Sequence, residues 1–305
     1  MQLHEVVNTF GNYLLNKYNE KIYKVTLDGG FNCPNRDGTI GRGGCTFCNV
    51  SSIIDENISK NSLKEQLSYQ TNRMYKSNKY IAYFQAYTST YSEVTVLKEL
   101  YKESMAYENI IGLSVGTRPD CVRHEALELL LEFQNIGYEI WLELGLQSAN
   151  NKTLININRG HSFEDYVKTT KLARNMGIKV CTHLIIGLPN EDKNESINTL
   201  NKVLETGVDG LKIHPLHIAK NAPMQKDWQN GKIKILELDE YVDTACDMIR
   251  ETPKDVIYHR VSANARTLVA PSWCANHWIA MNAIYKNLIQ FGAQGSATKD
   301  VYGQQ

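Results

Sequence analysis

Six short apolar runs rich in β-branched and aromatic residues recur along the chain, at 22–27, 80–85, 110–116, 138–145, 178–187 and 208–216. Their apolar residues run nearly without interruption, the pattern of strands buried on both faces. After the first run they recur roughly every 30 residues, the length of a strand–helix unit. Segments with helical spacing fill the gaps, at 62–74, 92–107 (with Ser92 as the expected cap), 123–136, 163–176 and 191–204. Gly137, Gly177 and Gly207 stand just past three of these helices, where a C-terminal cap is expected. Such alternation predicts an α/β fold, a parallel sheet with helices outside. Six units are too few for a closed eight-stranded barrel, which leaves a six-unit partial barrel or an open doubly wound sheet.

Three regions follow. Residues 1–20 read as a helical arm with Leu3, Val6, Val7, Phe10 and Leu14 on one stripe. Residues 21–220 carry the barrel units. Residues 221–305 read as a mainly helical extension against the barrel's side or mouth, with helices near 237–250 and 275–290. Val256, Ile257 and Tyr258 are its one strand-like run.

The composition narrows the class. At 305 residues and 42% hydrophobic content, the core of one large or two modest domains is available. Lys plus Arg and Asp plus Glu balance at 33 each, so no global field advertises nucleic acid. Seven scattered cysteines do not read as a secreted disulfide scaffold, and the odd count suits a reducing compartment. The N-terminal MQLHEVVNTFGNYLL lacks the shape of a signal peptide, and no run of about 18 apolar residues occurs. The expectation is a soluble cytoplasmic protein with no membrane partner.

Three cysteines, Cys33, Cys45 and Cys48, share one glycine-rich loop after the first run, spaced C-x11-C-x2-C. Carboxyl ends of strands are where α/β folds place ligands. Glycines 29, 30, 38, 41, 43 and 44 let backbone wrap closely around a bulky inorganic core. Three thiolates suit a 4Fe-4S cluster with one iron left open. Zinc is the other reading, since C-x2-C is a common zinc element, but no second C-x2-C or H-x3-H accompanies it.

With Phe47 just before the last cysteine, this loop resembles that of the radical S-adenosylmethionine (SAM) superfamily. Its spacing is similar to the subgroup of the Elongator catalytic subunit. FQAYTSTY (84–91), VGTRPDC (115–121), LELGLQS (142–148), NRGH (158–161), LIIGLP (184–189) and KIHPLH (212–217) follow in order, with HRVSANA and APSW in the tail. Together they resemble the YhcC-like branch. The resemblance implies a partial (β/α)6 radical SAM barrel, a 4Fe-4S cluster on Cys33, Cys45 and Cys48, and SAM on the fourth iron. Reductive cleavage of SAM would yield a 5′-deoxyadenosyl radical that takes a hydrogen from substrate. A reductant such as flavodoxin or ferredoxin is then an implied partner.

The resemblance also implies roles in binding SAM. Phe47 would lie near adenine, unless it is plain core. Gln85 to Thr88, with Gln85 and Thr88 at its ends, match the segment near the SAM amino group. Glu143 and Gln147 would reach ribose hydroxyls; a buried Glu143 must otherwise pair with a core Lys or Arg. Arg118 or Arg159 would grip the methionyl carboxylate, or each forms an ordinary ion pair. Residues 185–189 would support adenine, while Asp120 and His161 match motif positions without an assigned role. His183, His214 and His217 could touch substrate or relay a proton, or be satisfied core histidines; His217 is the candidate catalytic residue among them, and Cys274, otherwise a small apolar core residue, is a candidate hydrogen-atom or proton donor. Lys212 and Lys220 stand near the same mouth and suit an anionic substrate.

For substrate, the branch resembled implies transfer RNA. The implied reaction turns 5-carboxymethylaminomethyl-(2-thio)uridine at the wobble position into 5-aminomethyl-(2-thio)uridine. Aromatic–basic interleaving in the arm (Tyr13, Lys17, Tyr18, Lys21, Tyr23, Lys24) and tail (His259, Arg260, Arg266, Trp273, His277, Trp278, Lys286) suits a flipped base and its phosphates. A radical SAM enzyme acting on a small molecule or peptide is the alternative, and a zinc-stabilised binding module is the alternative of another class.

Overall fold

The computed structural model describes residues 2–49, 60–74, 77–263 and 267–298. Its frame is one sheet of seven parallel strands in the order β1 (Ile22–Leu27), β2 (Lys79–Phe84), β3 (Ile110–Thr117), β4 (Glu139–Gln147), β5 (Lys179–Ile186), β6 (Gly210–Pro215) and β8 (Ile257–Arg260). A two-residue β7 (Ile218–Ala219) pairs antiparallel with β9 (Leu268–Ala270). This is the partial parallel barrel that was expected, with helices outside and helical segments at the C-terminus. It carries seven strands where six were expected, because the tail's short run at 256–258 joins the sheet beside β6. The run is strand-like by itself, but four residues do not say which edge they join; here they extend a sheet edge that is already in place.

Outer helices lie where their spacing predicts, among them Val94–Met105, His124–Asn135, Phe163–Asn175 and Lys193–Leu204. Gly137, Gly177 and Gly207 all have positive φ. The first of these helices is capped by Glu93 rather than Ser92. Strand residues alternate between two cores. Val25, Leu27, Leu113, Val115, Ile140, Leu142 and Leu144 face the helices in the main core. Ile22, Ile81, Trp141, Cys181 and Ile257 face inward.

The lower end of the barrel is closed by the N-terminal arm. Helix α1 (Phe10–Tyr18) begins at a Thr9 cap and places Phe10 and Leu14 among the inward residues. Phe10 meets Trp141 edge-on at 5.5 Å and stacks on His259 at 4.0 Å. The absent side chain of Gly210 leaves room for this packing, since a Cβ there would lie 3.1 Å from both Trp141 and His259. Buried Glu139 accepts from the hydroxyls of Tyr13 and Tyr18 at 2.9 Å, from Lys17, from Lys179 at 2.9 Å and from the Trp141 indole at 2.8 Å. Burial opposes its charge, but Lys17 and Lys179 outweigh that and hold its carboxyl down at about 2.

These contacts correct the expected RNA surface. Tyr13, Lys17 and Tyr18 are turned onto Glu139, Lys24 reaches Glu143 inside the barrel, and His259 is buried against Phe10. Lys21, Tyr23, Trp278 and Lys286 remain exposed, whereas Arg266 lies outside the described residues, as do the last two residues of HRVSANA, 264 and 265. Among the described residues no helix is long and apolar enough to cross a membrane.

Phe10→Ala would leave a hole beneath Trp141. It is expected to cost about 3 kcal/mol, read from urea unfolding with an unchanged m-value. An unshifted midpoint would show that the arm is not part of the core.

Candidate active site

The upper end of the barrel opens into a cavity of about 410 Å³, within the size range of small-ligand sites. Cys33, Cys45, Cys48, Phe47, Gln85, Thr88, Arg118, Glu143, Gln147, Arg159, His183, His214 and His217 all line it. Cys274 is not brought there: it is buried in the turn Ser272–Ala275, and burial pushes its thiol up to about 12.

The cysteine loop is folded by local rules and pinned by distant ones. Cys33 caps a single helical turn, Pro34–Asp37, with proline at its first position. Consecutive positive φ values at Gly43 and Gly44 turn the chain back, where the Gly44 amide donates to the Asn35 carbonyl at 2.8 Å. Thr46 N–H donates to the Ile157 carbonyl at 3.0 Å, and Asn158 Nδ2 to the Gly44 carbonyl at 2.8 Å.

Two side chains then address one sulfur. Arg159 Nη1 lies 3.4 Å and Asn35 Nδ2 3.7 Å from Cys45 Sγ. Arg159 also donates through Nε and Nη2 to the Gly145 carbonyl. Gly145 is needed there, because a Cβ would lie 2.7 Å from the guanidinium. Arg118 is held in a fork by Asp120, at 3.0 and 2.8 Å, which gives Asp120 its structural part. Arg36, which the sequence reading passed over, donates to the Cys48 carbonyl at 3.0 Å and also lines the cavity. Asn35 and Arg36 directly follow Cys33-Pro34, and a helical turn brings them back toward the loop's other cysteines.

At the cavity floor lies Glu143, with no exposed surface. One oxygen takes Lys24 and the Ser114 hydroxyl (2.7 Å); the other takes His183 Nε2 (2.7 Å) and Lys212 (2.5 Å). Burial opposes its charge, yet Lys212 and Lys24 hold the carboxyl well below the usual range. Its pairing is therefore with core lysines, the second of the two readings, and both oxygens are engaged before any ribose arrives. Lys212, expected near the mouth, sits in this buried group; burial lowers its ammonium to about 8 against the pull of Glu143.

Two observations bear on what the cavity holds. Among the described residues, the one group of three potential ligands with donor atoms all within 4.8 Å is Glu143, Cys181 and His183. Lys24 and Lys212 already saturate that carboxylate, so it suits a cation poorly. Cys33, Cys45 and Cys48 line the cavity from one loop, and three thiolates without a second C-x2-C or H-x3-H suit a cluster that leaves one iron open better than four-coordinate zinc. Second, Thr88 Oγ1, Gln147 Oε1 and His217 Nδ1 are buried side-chain atoms of the cavity without a hydrogen-bond partner. Gln147 has φ +82 where the β4–β5 register slips. Orphaned polar atoms converging on one cavity fit a polar ligand. The donor set and the orphans together fit an iron–sulfur cluster with a polar nucleoside cofactor beside it.

Burial lowers His161 to about 2 and His183 to about 4, from an ordinary 6.5. The unfolded chain therefore binds protons that the folded chain refuses, so stability is complete above about 6.5 and falls as pH drops toward 4. Glu139, depressed from 4.5 to about 2, extends the loss below 4.5. Urea midpoints should decline from pH 7.5 to 5, with a shallower decline in His161→Gln; a flat wild-type profile contradicts this electrostatic account.

Comparison with known proteins follows the same lines. Residues 35–203 match the profile of the radical SAM superfamily, and residues 208–290 that of the radical SAM C-terminal domain. The chain is 56% identical over 299 residues to protein YhcC of Escherichia coli (strain K12), covering 97% of both. It is 39% identical to YtqA of Bacillus subtilis (strain 168), over 94% of this chain and 90% of that one. A tRNA uridine(34) acetyltransferase of Methanocaldococcus jannaschii shares 26% identity over 50% of this chain and 28% of that protein. Among solved structures, the archaeal Methanocaldococcus infernus Elongator protein 3, with its N-terminus deleted, has a similar fold. Its TM-score is 0.62 at 16% identity, over 88% of this chain and 63% of that one.

Proposed function

The chain belongs to the radical SAM superfamily, and from that premise we propose an enzyme that removes a hydrogen atom from a substrate held in the barrel mouth. Membership implies a 4Fe-4S cluster and SAM. The observation that carries the reading is the cavity itself, where Cys33, Cys45 and Cys48 and buried polar atoms without a hydrogen-bond partner line one opening. Together the cluster and SAM, when bound, supply reductive cleavage of a sulfonium and hydrogen abstraction.

The chain's own residues do the positioning. Cys33, Cys45 and Cys48 hold the cluster. Arg159 and Asn35 direct N–H groups at the Cys45 sulfur, which stabilises its negative charge and tunes the potential. Thr88 and Gln147 supply a hydroxyl and an amide oxygen to SAM. Phe47, Ile185 and Leu216 give the cavity apolar walls that keep water from the reacting atoms. Arg118, locked by Asp120, shapes the wall rather than swinging freely. His217 faces the substrate side.

The finer reading is wobble-uridine modification of transfer RNA, conversion of 5-carboxymethylaminomethyl-(2-thio)uridine to the aminomethyl form. It is supported by the relative whose name specifies tRNA uridine 34. The exposed Lys21, Tyr23, Trp278 and Lys286 remain available to RNA.

Protein reconstituted anaerobically with ferrous ion and sulfide should be brown and release 5′-deoxyadenosine with dithionite and SAM. Cys33→Ala, Cys45→Ala and Cys48→Ala should each lose most of the iron and all of the nucleoside, while Cys274→Ala keeps the iron. Colourless wild-type protein would sink the enzyme reading. For the substrate, mass spectrometry of transfer RNA nucleosides from cells lacking the gene should show the carboxymethylaminomethyl precursor accumulating. An unchanged profile transfers the assignment to a small molecule or peptide.

A further inference from the structure

The last strand of the sheet contains an irregularity that re-aims two side chains. Along β6 and β8, Gly210 pairs with Ile257 and Leu211 with Tyr258, but Lys212 pairs with Arg260, so His259 is an extra residue. A bulge of this kind lets consecutive side chains serve the same side of a sheet. His259 goes down into the barrel, onto Phe10 and Trp141. Arg260, an exposed residue, goes to the rim of the cavity, where it stands with His214, His217 and Ala263.

Arg260 stands apart among the charged side chains of the cavity. Four arginines line it. Arg36 is bound to the Cys48 carbonyl, Arg118 to Asp120, and Arg159 to the Gly145 carbonyl and the Cys45 sulfur. Arg260 has no hydrogen bond or ion pair among the described residues. The single lining carboxylate, Glu143, is saturated by Lys24, Lys212, Ser114 and His183. No acid on the lining is therefore left to answer this guanidinium.

His217, beside it, keeps a buried Nδ1 without a partner. Burial and the Arg260 charge both hold His214 and His217 below the ordinary imidazole range, so these rings are neutral. A neutral imidazole can still donate one N–H. An unpaired guanidinium with an imidazole donor at the wall of a cavity is a fork for an oxyanion.

We propose that the substrate presents an anionic group, a carboxylate or a phosphate, to Arg260 and His217 at the wall of the cavity formed by β6 and the β8 bulge. This rests on the enzyme reading above and specifies the chemistry of its substrate. Arg260 is a binding and specificity residue, and the bulge at His259 is the device that delivers it.

The test uses cluster-reconstituted full-length protein with S-adenosylhomocysteine and equilibrium dialysis of three probes: uridine, uridine 5′-monophosphate and 5-carboxymethylaminomethyluridine. One anionic probe should bind at least about tenfold tighter than uridine, and Arg260→Gln should bring that advantage to within about twofold, with Arg260→Lys intermediate because it keeps charge without the fork. An advantage for the monophosphate assigns the group as phosphate, and an advantage for the carboxymethyl nucleoside assigns it as carboxylate. The proposal is overturned if neither anionic probe outbinds uridine, or if the advantage survives in Arg260→Gln. It is also overturned if Arg260→Gln weakens SAM itself, which would make Arg260 a cofactor ligand. Release of 5′-deoxyadenosine from the same preparation is scored separately, since its absence defeats the enzyme reading whatever Arg260 binds.

Discussion

A sheet that curls without closing must hold its two edges by something other than a ladder of backbone hydrogen bonds. Here β1 and β8 are those edges, and a buried carboxylate between them does much of the holding. Glu143 on β4 draws in Lys24 from β1, Ser114 from β3, His183 from β5 and Lys212 from β6. Lys24 Nζ then lies 3.0 Å from His259 Nδ1 on β8, which joins first strand to last across the open side. Two lysines, one carboxylate and neutral imidazoles can be buried together because nearly every charge has a partner. Removing the carboxylate would leave two buried ammonium groups, a far larger penalty than the net worth of the pairs.

The same network divides the barrel into two functions. Below it, α1 fills the bore with Phe10 and Leu14 and satisfies Glu139, so that end is structural. The arm's approach to β8, through the Tyr258 amide on the Asn8 carbonyl at 2.8 Å, supports the edge that the sheet leaves unpaired. Above it, strand ends and the cysteine loop surround an opening whose polar atoms are only partly satisfied. One end thus supplies stability and the other leaves buried hydrogen-bonding capacity for ligands. That asymmetry is general to barrels whose chemistry sits at the carboxyl ends of the strands.

Much of this was legible in the sequence because it is local. The six apolar runs and their 30-residue recurrence give the parallel sheet, and glycines after helices mark where they stop. Cys33, Cys45 and Cys48 stand in one short loop, so their meeting needs no long-range reasoning. Illegible were the features that depend on residues far apart in the chain. Tyr13, Lys17, Tyr18 and Lys24 look like an RNA-facing surface until Glu139 and Glu143 appear opposite them. Glu143 itself was visible as a costly carboxylate in a strand, but not whose charge would balance it.

Sequence alone therefore determined the periodicity, the glycines that end the helices and the cysteine loop, because strand, helix and turn preferences act over a few residues and leave their pattern in order along the chain. Tertiary structure alone decided the seventh strand, the partners of each buried charge, the exclusion of Cys274 from the cavity and the aim of Arg260. Those outcomes turn on which strands lie side by side and in what register, and a shift of one residue, as at His259, redirects a side chain without changing any local preference.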